Sequence, residues 1–138
     1  MFILDTNVIS DQMNKRPDVR VQHWMNVYEP PLMFITSINI AELCFGAWLV
    51  KEAARREGLL QSIERIRAGY QSRLFDFDEQ AGKIYGKICA ERQHMGRQIE
   101  TKDAMIAAIC LVHGATLATR NVRDFDGLGL KLVNPFEA

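Results

Sequence analysis

A chain of 138 residues with 17 basic and 17 acidic side chains carries no net charge. No global basic field is therefore available to hold a nucleic acid, and any such contact must rest on local arginines and on a metal. With 48% hydrophobic and 25% charged residues, this is the composition of an ordinary soluble protein, and the length suits a single domain spanning residues 1–138.

Phe2-Ile3-Leu4 reads as a buried first strand that runs straight into Asp5. Thr6 or Asn7 is expected to cap a short helix from Val8 to about Met13, and Asp18 to cap the next. In that second helix Val21, Trp24, Met25 and Tyr28 recur at the spacing of one buried face. Pro30-Pro31 stops it. Leu32 to Ile35 reads as a second strand, and after Thr36-Ser37 a long helix is expected to about Arg55, with Leu43, Ala47 and Val50 on one side. Gly58 should break that helix, and Leu59 to Tyr70 should return as the other arm of a helical hairpin. Leu74 to Phe77 is a short strand. Asp78 caps a helix that runs to His94 and closes at Gly96. Residues 101–112 form another helix, with Gly114 as its stop. Ala115–Thr119 and Leu130–Val133 are the last strands, on either side of a polar loop. The alternation predicts an α/β fold with a mostly parallel sheet flanked by helices on both faces.

Cys44, Cys89 and Cys110 lie in helical patterns without CxxC spacing, which points to reduced thiols in a reducing compartment. His23, His94 and His113 share no ligand spacing with them, so a structural zinc site is not expected. No run of about 18 apolar residues can span a bilayer, and three apolar residues before Asp5 are too few for a signal peptide. A cytoplasmic location is expected.

Four acids stand beside apolar runs: Asp5, Glu42, Asp103 and Asp124. Each has a local reading. Asp5 can cap the next helix, and Asn39-x-x-Glu42 has the spacing of a capping box. Asp103 sits in a helix first turn, where a negative charge gains about 0.3–1 kcal/mol. Asp124 lies in ordinary turn sequence. Together they also suit one cluster at the carboxyl edge of the sheet. Two carboxylates about 5 Å apart at an effective dielectric of 20 repel by roughly 3 kcal/mol, more than a cap of about 1 kcal/mol returns. A divalent cation offsets this, and an all-oxygen site suits Mg²⁺ or Mn²⁺, one or two ions, better than zinc. Such ions act on phosphates. No Gly-rich phosphate loop follows the first strand, no second acid follows Asp5, and no nucleophile elbow is present. Metal-assisted hydrolysis of a phosphodiester fits these residues best.

Leu4-Asp5-Thr6-Asn7, Ala41-Glu42-Leu43, the Asp103-to-Ala108 block DAMIAA and Thr119-Arg120-Asn121-Val122-Arg123-Asp124-Phe125 occur in the order and approximate spacing of the PIN-domain ribonucleases. From Met1 to about Pro135 the chain resembles VapC-type toxins close to the FitB group. The resemblance implies a PIN-like fold and a Mg²⁺- or Mn²⁺-dependent endoribonuclease, the toxin of a type II toxin–antitoxin pair. It implies that Asp5, Glu42 and Asp103 are catalytic and bind the metal. The fourth position is open between Asp124 and Asn121, because many relatives carry an acid where this chain has Asn121. Thr6 and Thr119 resemble hydroxyl residues that orient the acids or the water. Arg120 and Arg123, with Lys102, are candidates to hold backbone phosphates, or else solvated surface charges.

The resemblance further implies a homodimer, and a small VapB-like antitoxin lying along the hairpin of residues 38–72, with an arginine reaching into the acid pocket. Higher assemblies with the antitoxin follow from this. Phe45, Trp48 and Leu49, with Trp24 and Tyr28, either line that groove or fill the core, and the core reading is preferred for most of them. Two other readings stand beside the nuclease. One is a catalytically silent PIN-fold RNA-binding or interaction protein. The other is a receiver-like signalling module, which would need a paired acid after the first strand where this chain has Thr6-Asn7.

Overall fold

Ile3 and Leu4 are successive residues of a strand, so they point to opposite faces, and both are buried. That double burial marks β1 (Phe2–Leu4) as the centre of a sheet covered on both sides. The computed structural model, which describes residues 1–138, bears this out. β1 pairs with β2 (Met33–Thr36) on one side and β4 (Thr116–Ala118) on the other, while β3 (Leu74–Phe75) and β5 (Lys131–Val133) form the edges. Every pairing is parallel, in the order β3-β2-β1-β4-β5. Leu4 lies opposite Ala118, so the residues that follow them, Asp5 and Thr119, leave the sheet side by side.

Helices α5 (Glu79–His94) and α6 (Thr101–His113) cover the face that receives Ile3 and Leu117, with Ile88, Ile106 and Ile109 packed between. The other face receives Leu4, Met33 and Ile35. It is covered by α1 (Thr6–Met13), α2 (Val19–Val27), α3 (Ser37–Trp48) and α4 (Ala53–Gly69). Each fully buried Ile or Leu contributes about 1.5–3 kcal/mol, so the two clusters hold the sheet from both sides.

Several local expectations change. α1 begins at Thr6, two residues earlier than expected, because Asp5 itself is the cap and accepts from the Thr6 N–H at 2.8 Å. The capping box of α3 joins Thr36 to Asn39, not Asn39 to Glu42: Thr36 Oγ1 accepts from the Asn39 N–H and Asn39 Oδ1 accepts from the Thr36 N–H. Glu42 is thereby free of any capping role.

The long helix to Arg55 is in fact two helices, broken at residues 49–52, and Gly58 lies inside α4. The Leu49 N–H tightens onto the Phe45 and Ala47 carbonyls to end α3, and Arg56 Nη1 donates to the Val50 carbonyl across the turn. A mid-helix glycine costs about 1 kcal/mol, which the helix formers around it, Ala53 to Glu57 and Leu59 to Gln61, absorb. β3 is two residues long where four were expected. Trp24 and Tyr28 pack with Phe2 as expected for core residues. Phe45, Trp48 and Leu49 do not: they are 59%, 64% and 64% exposed, on the outer side of α3. All three cysteines are free thiols.

Candidate functional site

The chain leaves β1 toward β2 on one side, while β4 occupies the other, so the strand order reverses between β1 and β4. Ligands of open parallel sheets bind at such a crevice, beyond the carboxyl ends of the strands. Asp5 and Thr119 form its floor, and both are buried. Thr119 Oγ1 donates to Asp5 Oδ2 at 2.7 Å, and Asn7 Nδ2 stands 3.4 Å from the same oxygen. Asn7 also ties the β4 loop down, its Oδ1 accepting from the Arg120 N–H at 3.2 Å.

Glu42 enters from α3 through a second chain of hydrogen bonds. Asn39, wholly buried by its capping box, donates from Nδ2 to Thr6 Oγ1 at 2.9 Å. That hydroxyl then has its own hydrogen to give, and donates it to Glu42 Oε1 at 2.8 Å. Asp103 comes from the first turn of α6. Asp124 comes from the 3₁₀ turn Val122–Phe125, anchored by the buried Phe125 ring.

All four acids line one cavity of about 570 Å³ whose twelve lining residues include no hydrophobic side chain. Asn121 and Arg120 also line it, as do Glu100 and Asp11, two further carboxylates that the sequence reading missed. A slightly larger cavity of about 610 Å³ opens between α1, α2 and α4, walled in part by Met13, Met25, Met33 and Tyr70. It gathers no acids.

The electrostatics mark the acid cavity as charged beyond what its own side chains relieve. Burial raises the Asp5 pKa, opposed by the hydrogen bonds from Thr119 and the Thr6 N–H. Burial also raises Glu42, with the Asp5 charge adding to it and Lys102 opposing. Asp103 has no hydrogen bond to oppose the effect. Burial first, then the charges of Asp5, Glu100, Glu42 and Asp124, lift it from 3.8 to about 7. Arg120, the one cation of the cavity wall, has its guanidinium 3.8 Å from the Phe136 ring and pairs with none of the acids. Lys102 sits over the exposed Phe45 ring at 5.1 Å.

The donor set is all oxygen, as Mg²⁺ and Mn²⁺ require. No three His, Cys, Asp or Glu side chains stand close enough to hold one ion unaided. This departs from the compact cluster expected of the sequence; an ion that keeps several waters and takes one or two carboxylates directly still fits so spread a donor set. No helix is long and apolar enough to cross a membrane.

Comparison with known proteins gives the same outline. The model of the PIN domain matches residues 2–129. The plasmid stability protein StbB of Pseudomonas syringae pv. tomato is 34% identical over all of both chains. The VapC ribonuclease Y4jK of Sinorhizobium fredii is 32% identical over 99% of each. Toxin FitB of Neisseria gonorrhoeae is 31% identical over 99% of each. The crystal structure of FitAcB from the same organism superposes over the whole of both chains with a TM-score of 0.91 at 30% identity.

Proposed function

The chain belongs to the PIN-domain family, among its VapC and FitB relatives, and from that premise we propose that it is an endoribonuclease. It hydrolyses RNA phosphodiester bonds with Mg²⁺ or Mn²⁺ and acts in the cytoplasm as the toxin of a type II toxin–antitoxin pair. The observation that carries this reading is the polar cavity at the β1/β4 crevice, lined by Asp5, Glu42, Asp103 and Asp124, none of which forms a salt bridge.

Asp5, Glu42, Asp103 and Asp124 would hold the metal between them, one or two directly and the others through its waters. The metal supplies a lowered pKa for water and neutralises charge on the phosphate oxygens. The rest of the work falls to the chain. Thr119 occupies one lone pair of Asp5 Oδ2 and the Thr6 N–H one of Oδ1, which fixes the plane of that carboxylate. The Asn39–Thr6 relay does the same for Glu42. Asp103, whose carboxyl is raised to about 7 by burial and like charge, would favour its ionised form beside a cation. Asn121 stands at the cavity wall with its N–H on Thr119 Oγ1 at 3.0 Å, which leaves its side-chain amide free to meet a phosphate or a water. Arg120 is placed to meet a backbone phosphate from above the Phe136 ring.

A partner fits beside this site. An apolar slot of about 230 Å³ runs from Thr6 and Glu42 between α1, α3 and α4, past Leu43, Ala47, Leu59 and Ile63. It supports a VapB-like antitoxin laid along the hairpin, with a homodimer as the core of the complex. The solved relatives bear on this: FitAB was captured on the IR36 DNA fragment, and VapBC of Salmonella typhimurium was captured bound to DNA. The silent RNA-binding alternative is not favoured, since the full-length relative Y4jK is named a ribonuclease.

The test is cleavage of a mixed RNA pool by antitoxin-free protein with Mg²⁺, with Mn²⁺ and with EDTA. Cutting in either metal and none in EDTA is expected. Cutting that survives EDTA would remove the metal from the account.

A further inference from the structure

Arg92, near the end of α5, is 2% exposed and forms no salt bridge. A buried guanidinium without a carboxylate is costly to keep, so what it touches is informative. Its Nη2 donates to two backbone carbonyls, those of Asp124 at 3.0 Å and Asp126 at 2.7 Å. Its Nε has no partner at all. The two carbonyls bracket Phe125, the buried anchor of the 3₁₀ turn. Nearby, Arg97 Nη2 donates to the Arg123 carbonyl at 2.6 Å. The backbone on both sides of Asp124 is therefore held by arginines of the α5 end, and Asp124 has no side-chain hydrogen bond of its own among those formed. Arg92 lines a cavity of about 250 Å³ together with Asp103, Asp124 and Glu100, which adjoins the catalytic cavity from the far side. The negative potential of those three acids accounts for how the charge is tolerated there.

We propose that Arg92 is a positioning residue for catalysis: it clamps the 122–126 turn through the Asp124 and Asp126 carbonyls and so sets the direction in which the Asp124 carboxylate enters the site. One guanidinium nitrogen, Nη2, carries two hydrogens and gives one to each carbonyl, at the end of a side chain that remains charged. A lysine keeps the charge, but its nitrogen ends one bond short of the Nη2 position between the carbonyls. A methionine keeps the volume and loses both. This inference rests on the nuclease reading and on Asp124 as its fourth acid.

The experiment is a double-mutant cycle on full-length protein, pairing Arg92→Lys and Arg92→Met with Asp124→Asn. RNA cleavage and the rise in melting temperature caused by Mn²⁺ are both read. Arg92→Lys, which keeps the buried charge and guards against a misfolded Arg92→Met, should fold and lose about 10–100-fold in kcat/KM, the usual effect of removing a group that orients a metal-site residue. The Mn²⁺-induced rise should shrink in parallel. Combined with Asp124→Asn, either Arg92 change should add no further loss, because both act through one carboxylate. Losses that multiply, or a folded Arg92→Lys with wild-type rate and wild-type Mn²⁺ response, would overturn the proposal. An Asp124→Asn variant that cleaves normally overturns it too, while leaving Asp5, Glu42 and Asp103 standing. A wild type that never cleaves refutes the nuclease reading instead, and the Mn²⁺ response alone then decides for or against Arg92.

Discussion

Asp103 differs from Asp5 and Glu42 because nothing donates to it. Asp5 has Thr119 and the Thr6 N–H, and Glu42 has Thr6, whereas Asp103 meets only burial and like charge. Its carboxyl is lifted from 3.8 to about 7 in the folded protein. The native state therefore binds more protons than the unfolded state between those values, and stability falls as pH rises through that window. In chelator, Asp103→Asn should melt several degrees above wild type at pH 8 and level with it below pH 4, with Mg²⁺ narrowing the gap at pH 8. Thermal unfolding across pH measures this, and a variant that melts lower at pH 8 would mean that the carboxylate has a stabilising partner. Thr119→Val removes the strongest hydrogen bond to Asp5 without changing shape. It should cut cleavage about 10–100-fold while the folded circular dichroism spectrum is kept, and unchanged kinetics would strip Thr119 of its orienting role.

At the scale of elements, Gly58 offers a direct check on where the helical hairpin turns. It sits inside α4, its backbone is not among the positive-φ glycines, and a β-carbon there meets nothing within 4 Å. Gly58→Ala should raise stability by about 0.5–1 kcal/mol, measured by denaturant unfolding, whereas a glycine that broke the helix would give a loss. The order of strands and helices was legible in the sequence because the three central strands are short apolar runs that end at Asp5, Thr36 and Thr119, and because Gly96 and Gly114 stop their helices with positive φ. Gly58 misled because a glycine marks a turn only where the backbone needs what glycine alone can do. Phe45, Trp48 and Leu49 misled because helical spacing reveals that a face is apolar, not whether this chain covers it. Among site residues, Asp5, Glu42, Asp103 and Asp124 stood out as acids beside apolar runs. Asn39 and Arg92 did not, since their work is done across 33 and 32 residues of sequence by hydrogen bonds that no local pattern records. Glu100 was hidden by lying just outside the helix that carries Asp103.

Across the whole molecule, equal numbers of acids and bases leave little long-range pull on RNA. On the proposed reading, recognition would depend on a few cations near the cavity, Arg120, Arg123 and Lys102 among them, and on a metal held between the acids. With about two or three phosphates neutralised, the logarithm of RNA affinity against the logarithm of salt should fall with a slope of about −2 or shallower for a single strand. A titration in Ca²⁺, at 50 to 200 mM salt, gives the slope, and a value of about −5 would require a basic surface this chain does not have. The central claim is that the cavity between β1 and β4 is where RNA is cut. The measurement that tests it most directly is the cleavage rate of one RNA substrate by wild type and by Asp103→Asn, at equal Mn²⁺ and with both proteins shown to be folded. Cleavage by the wild type and a fall to background in the variant is the predicted result. A folded Asp103→Asn that cuts at the wild-type rate would contradict the claim and place the chemistry elsewhere.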